Sequence, residues 1–298
     1  MRISVFGNPK KPLVAKLIDE MLPWFRERVE VVGITLSEQG PLDPGDVDFV
    51  VIFGGDGTIL SVARRLTRYD VPIVGVNAGR LGFLAAISPS DLRTEFVRIM
   101  NDEYIVSERM MLAVSGLEDI NRNGEHFEMR ALNEVLLERG GSPRTISVKV
   151  MHGDQYFNTV SADGIIVATP TGSTAYSLSA AGPLVASELN LMIITPVCPH
   201  CLYERPFVVS ADRPVRLILD TPFAGCTVCL DGQTVYRPKS SIEIEIRRFE
   251  HSLKMLTAPE VGQYEVIRSK LNWGSPYLPS RSGIGRAAPG SKDNATEE

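Results

Sequence analysis

The first third of the chain alternates between apolar runs and segments with helical spacing. Residues 2–7 (RISVFG) are a short, mostly apolar run that stops at a Gly-Asn-Pro turn, the pattern of a buried strand. Over residues 12–28 apolar side chains recur at Leu13, Leu17, Ile18, Met21 and Leu22, near helical spacing, with Pro23 expected to interrupt or kink the helix. A β-branched run at 29–36 leads into a Gly/Pro/Asp-rich loop that lasts to Asp48. Phe49 to Phe53 (FVVIF) is uninterrupted apolar sequence, as in a parallel strand covered on both faces. Residues 59–68 fit a helix and Pro72 to Val76 another strand. This alternation predicts an open, mainly parallel α/β sheet.

After about Tyr104 the rhythm changes. Short runs appear at 111–115, 128–137, 145–151, 155–161, 164–168, 215–219, 227–230 and 242–247. Turn pairs separate several of them: Asn123-Gly124, Gly153-Asp154 and Asp231-Gly232. Many short strands joined by such turns predict an all-β, sandwich-like domain. The expected organisation is an α/β nucleotide-binding domain over 1–105 and a β-rich domain over 106–258. The Gly/Pro/Ser- and charge-rich segment 279–298 is expected to be a disordered tail.

Composition narrows the function classes. The chain has 298 residues, is 44% hydrophobic and carries 31 Lys+Arg against 36 Asp+Glu, a net charge of -5. That balance does not suit a protein that coats nucleic acid, yet a backbone cradle for phosphate needs no net positive charge. Gly164 to Ser187 lacks Asp, Glu, Lys, Arg and His but is too rich in Gly, Pro, Ser and Thr to span a membrane. No apolar leader opens the chain, and four cysteines in this length do not make a disulfide framework, so a reducing cytoplasm is the expected compartment.

The sequence concentrates its chemistry at Gly54-Gly55-Asp56-Gly57-Thr58, between a strand and a helix. Consecutive amides at a helix start form an anion site, and glycines let a phosphate approach them. Asp56 is out of place there, because a carboxylate repels phosphate. It suggests a second duty, such as accepting a proton or holding a phosphate-bound Mg²⁺; the plainer reading is a turn that caps the helix. A second glycine-bearing turn, Gly75 to Leu84, follows the next strand, and loops after successive parallel strands share one crevice. A third block, Ala168 to Pro183, is rich in hydroxyls and small residues, and Tyr176 within it suits stacking against a heteroaromatic ring.

GGDGT after a strand, NAGRLGFLA, Asn133-Glu134-Val135, DGIIVATPTGSTAYSLSAAGP and Leu230-Asp231-Gly232-Gln233 occur in that order. Together they resemble the bacterial and archaeal NAD kinases, over about Val50 to Trp273. The resemblance implies transfer of the γ-phosphoryl group of ATP to the 2′-hydroxyl of the adenosine ribose of NAD, giving NADP. It implies Mg²⁺, or another divalent cation, arriving with ATP. It makes Asp56 the proton acceptor and gives Gly54, Gly55, Gly57 and Thr58 to the phosphates. The NAD pocket it implies takes in Asp56, Gly57, Asn133, Glu134, Asp163, Thr174, Ala175, Tyr176, Ser177, Leu178, Ser179 and Gln233. Arg144 is a candidate for neutralising substrate phosphate, against the plainer reading of a surface arginine. NAD would lie between the domains, a segment from about 259 to 278 would rejoin the first domain, and the chain would form a homodimer or homotetramer through its β-rich part. No nucleic-acid or membrane partner is expected. The competing readings are a catalytically silent NAD(P)-binding sensor and a lipid kinase sharing the GGDGT loop.

Two departures from the family pattern stand out. Ser61 replaces a usual basic residue, leaving a phosphate contact to Arg64 or Arg65. Cys201 replaces a usual Ser or Thr and creates Cys198-x-x-Cys201, with Cys226-x-x-Cys229 downstream. Paired CxxC is zinc-site spacing, but residues three apart on a strand face opposite sides, which favours buried thiols. His200 is read as a hydrogen-bonded interior histidine rather than a ligand contact.

Overall fold

The computed structural model describes residues 1–36, 42–66, 69–79, 82–85, 87–117, 129–141, 143–219, 226–236, 242–257, 259 and 263–273. The expected tail at 279–298 and the Asn123-Gly124 turn lie outside these residues.

The first sheet contains β1 (Arg2–Gly7), β2 (Glu30–Thr35), β3 (Phe49–Gly54), β4 (Ile73–Asn77), β5 (Ile105–Arg109) and β18 (Leu253–Thr257), in the order β2-β1-β3-β4-β18-β5. All its pairings are parallel except β18 with β5. The continuous apolar runs follow from burial on both faces. Phe49, Val51 and Phe53 pack with helices α1 (Pro12–Arg26) and α3 (Leu92–Met100), while Val50 and Ile52 pack with α2 (Asp56–Leu66). Helix α1 continues through Pro23 to Arg26 rather than ending there. Fully buried Phe25, 4.6 Å from Phe96 ring to ring, anchors the turn beyond the proline.

The second part is a sandwich. One antiparallel sheet has the order β10-β9-β14-β17-β6-β7 and the other β13-β12-β11-β8-β15-β16. The first comprises β6 (Leu112–Ser115), β7 (Met129–Ala131), β9 (Ile146–His152), β10 (Gln155–Ala162), β14 (Val215–Leu219) and β17 (Ile242–Arg248). The second comprises β8 (Glu134–Glu138), β11 (Gly164–Ala168), β12 (Leu191–Val197), β13 (Phe207–Ser210), β15 (Thr227–Leu230) and β16 (Thr234–Tyr236). Their facing apolar positions, among them Val114, Val135, Leu137, Val150, Ile165, Val167, Leu217 and Ile246, form one core. The α/β sheet plus all-β sandwich predicted from the sequence is the fold observed.

Two local differences matter. The single run expected over 128–137 is two strands: β7 lies in one sheet and β8 in the other, with the break at Leu132-Asn133. The chain also returns to the first sheet at Leu253, inserting β18 beside β4 ahead of the expected segment. After it, α5 (Gln263–Leu271) sets Lys270 Nζ 5.8 Å from the Phe83 ring.

Candidate active site

The helix of the GGDGT block starts at Asp56 itself, three residues earlier than the apolar spacing suggested. The Thr58 and Ile59 amides donate to the Gly55 carbonyl, so the first turn closes on the glycines and directs its leading amides away from the sheet. A Cβ on Gly54 would strike the Thr58 side chain, whereas a Cβ on Gly55 would meet nothing within 4 Å. Gly54 is therefore required by packing, while the space at Gly55 is open. Lys11, from the loop after β1, brings Nζ to 3.5 Å from Thr58 Oγ1. Sequence reasoning missed this cation, although a Lys pair after the first strand of a parallel sheet lies at the ligand-binding edge.

The second glycine loop holds Asp56. The amides of Phe83, Leu84 and Ala85 donate to its carboxylate at 2.8, 3.0 and 3.2 Å, the first to Oδ2 and the other two to Oδ1. Gly82 is required for this approach, because a Cβ there would sit 1.9 Å from Oδ1. Ala78 N–H donates to the Gly54 carbonyl at 3.1 Å, so the two loops form one edge.

The break between β7 and β8 presents Asn133 and Glu134. Thr169 Oγ1 donates to the Leu132 carbonyl and the Thr169 amide to the Asn133 carbonyl. Gly172 packs so closely on Asn133 that a Cβ would lie 2.1 Å from its carbonyl oxygen. The polar 169–172 loop is thus fastened across the Asn-Glu pair. Glu134 is 6% exposed and accepts a hydrogen bond from the Tyr176 amide. Burial, and then the charge of Asp231, push its carboxyl up to about 7. Among the described residues, Glu134 Oε2 and the hydroxyl of Thr171 are buried without a hydrogen-bond partner. Buried polar atoms left without partners are candidates for a ligand contact.

The remaining expected residues divide by position. Tyr176 is 40% exposed, and Ser179 is exposed on the same short helix, α4 (Tyr176–Ser179). Thr174 donates to the Thr171 carbonyl, Ala175 and Leu178 are half-buried, and Ser177 is buried with its hydroxyl 3.0 Å from that of Thr195. Asp163 pairs with Arg139 at 3.2 Å. Arg144 is exposed in the loop before β9. Gln233 donates from Nε2 to the Gly57 carbonyl at 2.7 Å and accepts from Arg64 at 2.8 Å. Its amide therefore bridges the two domains, a contact that the sequence did not suggest. Arg64 points the same way, and Arg65 lies over the Phe6 ring at 5.5 Å.

His200 is exposed, a correction to its interior reading; only its backbone amide bonds inward, to the Ser161 carbonyl. Cys198 and Cys201 are exposed, a correction to the buried-thiol reading for that pair, while Cys226 is buried in the sandwich core and Cys229 is half-buried against another cluster. Among the described residues no three His, Cys, Asp or Glu side chains gather as a metal site.

Residues 13–104 match the family model of the ATP-NAD kinase N-terminal domain, and residues 132–258 that of the ATP-NAD kinase C-terminal domain. The chain belongs to the NAD kinase family. It is 38% identical over 284 residues to the NAD kinase of Geotalea daltonii, covering 92% of this chain and 99% of that one. It is 36% identical over 293 residues to the NAD kinase of Hydrogenovibrio crunogenus, covering 92% and 98%. Among solved structures, an NAD kinase from Archaeoglobus fulgidus in complex with ATP aligns with TM-score 0.74 at 28% identity, over 91% of this chain and 99% of that one. A yeast NADH kinase complexed with NADH shares the fold, with TM-score 0.81 at 23% identity over 94% and 90%. Both family models run through the site: the GGDGT loop lies in the first match and the Asn133-Glu134 pair in the second.

Proposed function

We propose that this chain is an ATP-dependent NAD kinase in which Asp56 takes the proton of the acceptor hydroxyl. The observation that carries the assignment of Asp56 is its geometry. Each carboxylate oxygen has two acceptor positions. Two amides occupy Oδ1 and one occupies Oδ2, so the second position on Oδ2 is left for the ribose hydroxyl. An aspartate held by three amides keeps its orientation without rearranging during the reaction.

In the proposed step the 2′-oxygen of the adenosine ribose attacks the γ-phosphorus of ATP. The new O–P bond forms as the bond to the β,γ-bridging oxygen breaks, ADP leaves, and the hydroxyl proton passes to Asp56 Oδ2. A hydroxyl is a poor acid, so proton transfer comes late and much of the effect of Asp56 lies in orienting the nucleophile, as in other phosphoryl transfers. The divalent cation would arrive with the ATP substrate and would offset charge on its phosphates. Amides at Gly55, Asp56 and Gly57 face the phosphates, with Lys11 beside them. Asn133 and Glu134 receive the dinucleotide: the orphan Oε2 accepts from a ribose hydroxyl, and Tyr176 offers a ring for stacking.

The reading extends to the assembly. Phe157 of β10 and Phe207 of β13 stack at 4.6 Å at the sheet edges, and Leu202 and Tyr203 just before β13 are 84% and 88% exposed. Such apolar surface suits a homodimer or homotetramer formed through the sandwich. A cytoplasmic enzyme fits the exposed thiols of Cys198 and Cys201; no described helix is long and apolar enough to cross a membrane.

The test is NADP formation from NAD and Mg·ATP by wild type and Asp56→Asn. Turnover is expected to fall by roughly 10²–10⁴-fold. Whichever way the Asn amide is turned, its NH₂ faces at least one of the three amide N–H groups, so the variant also loses about 1–3 kcal/mol of stability. Its unfolding midpoint is therefore measured alongside. Near-wild-type turnover in Asp56→Asn removes Asp56 as the base, and an inactive wild type that still binds NAD transfers support to the silent sensor.

A further inference from the structure

The β15–β16 turn is built on Leu230 to Gln233. Asp231 and Gly232 have φ of 51° and 62°, and Gln233 N–H donates to the Leu230 carbonyl at 3.1 Å, so a tight turn with two consecutive positive-φ residues closes the hairpin. A turn residue normally points to solvent. The Asp231 side chain instead has no exposed surface. Its Oδ1 accepts from the amides of Asn133 at 2.7 Å and Glu134 at 3.2 Å, and its Oδ2 from the amide of Leu132 at 3.1 Å. Arg64 of α2 donates to Oδ2 at 3.3 Å.

Those three amides belong to the stretch where the chain leaves one sheet for the other. A strand that changes sheets leaves ladder partners behind, and buried amides require acceptors. Asp231 supplies them at the residues that carry the proposed dinucleotide contacts. Through Arg64 the same carboxylate is tied to the helix that begins with Asp56.

We propose that Asp231 is a positioning residue. It fixes the Asn133-Glu134 pair by holding three consecutive amides, and Arg64 registers that pair against Asp56. The proposal rests on the NAD kinase reading of the site and adds a residue that acts through others.

The decisive variant is Asp231→Asn. Its side chain matches in shape, but an NH₂ group must face either the Leu132 amide and Arg64 or the amides of Asn133 and Glu134. Binding of NAD alone and of Mg·ATP alone is measured by calorimetry on the full chain, from pH 5.5 to 8.5. The expected NAD dissociation constant is at least about tenfold above wild type, with Mg·ATP within about twofold. The pH dependence gives a readout that general loosening does not move. Among the described residues, the groups facing Glu134 are Asp231 from the hairpin and the amide and phenol of Tyr176 from α4, with Arg64 behind Asp231. Removing the Asp231 charge lowers the Glu134 pKa, so the acid limb of NAD affinity moves to lower pH. Wild-type NAD affinity in the folded variant overturns the proposal. So does equal weakening of both substrates with an unmoved limb, which describes a structural residue only. If Asp231→Asn does not fold, Arg64→Gln decides: a fall in kcat with each substrate still bound as in wild type supports registration, and an unchanged kcat overturns it. Failure of the kinase reading looks different, because the wild type then binds NAD but forms no NADP.

Discussion

Two carboxylates in this site are treated in opposite ways by their surroundings. Asp56 is met by three backbone amides, whereas Glu134 is buried beside another carboxylate with one oxygen lacking a partner. The first arrangement fixes the orientation of a carboxylate; the second holds a carboxyl whose burial favours its neutral form. That preference has a stability consequence. With its pKa raised from 4.5 to about 7, Glu134 in the folded chain holds its proton where the unfolded chain has released it. Stability therefore falls as pH rises through this window, by up to about 3 kcal/mol. Glu134→Gln is expected to match wild type in urea midpoint near pH 4.5 and to exceed it increasingly up to pH 8, while NAD binding weakens. Equal midpoints at pH 8 would show that Glu134 ionises in the fold without cost. Asp56 was legible as an anomaly in the sequence, because a carboxylate among phosphate-binding glycines calls for a reason. Its three amide donors were not: chain order brings their loop to the same crevice, but which amides reach the carboxylate is set by packing.

At the level of elements, the strand–helix junction of β3 and α2 carries the phosphate reading, and Gly55 isolates it. A Cβ at Gly55 meets nothing in the protein, so Gly55→Ala is expected to fold with an unfolding midpoint close to that of wild type. If its amide faces phosphate, the added methyl raises the KM for ATP by roughly tenfold or more, with a smaller effect on the KM for NAD. An unchanged KM for ATP would place the phosphates elsewhere. The sequence located this junction but started the helix three residues late, because glycines and Asp56 supply no apolar period. The β7–β8 break escaped for a related reason. Met129 to Leu137 is compatible with one strand, and only the departure of Leu132-Asn133 to a second sheet, held by Asp231, divides it. Helix α1 shows a tertiary contact prevailing over a local signal: the buried Phe25–Phe96 pair carries the helix past Pro23.

For the whole molecule, the chain makes the first sheet twice. β18 enters between β4 and β5 after the sandwich is complete, burying Leu253, Met255 and Leu256. A chain ending before Leu253 leaves β4 with an open edge and is expected to lose cooperative unfolding and to aggregate. A soluble truncated chain with a single sharp thermal transition would show that the first domain does not depend on the return strand. The same return brings α5 to the Phe83 loop, so the last described helix lies against the loop that holds Asp56. Between the domains, Arg64, Asp231, Gln233 and the Gly57 carbonyl form a hydrogen-bonded latch.

The sequence by itself determined the fold class, the GGDGT junction, the Asp231-Gly232 turn and the family. Each is local: an apolar period, a turn pair or an ordered set of short motifs is readable without knowing what lies opposite. Only the tertiary structure decided which groups meet. Asp56 is held from a loop 27 residues onward, and the Asn133-Glu134 amides by a turn almost a hundred residues away. Gln233, placed in the NAD pocket by the resemblance, bridges to the helix of the other domain. Hydrogen-bond partners of buried polar groups are set by packing in three dimensions, and no sequence period encodes them.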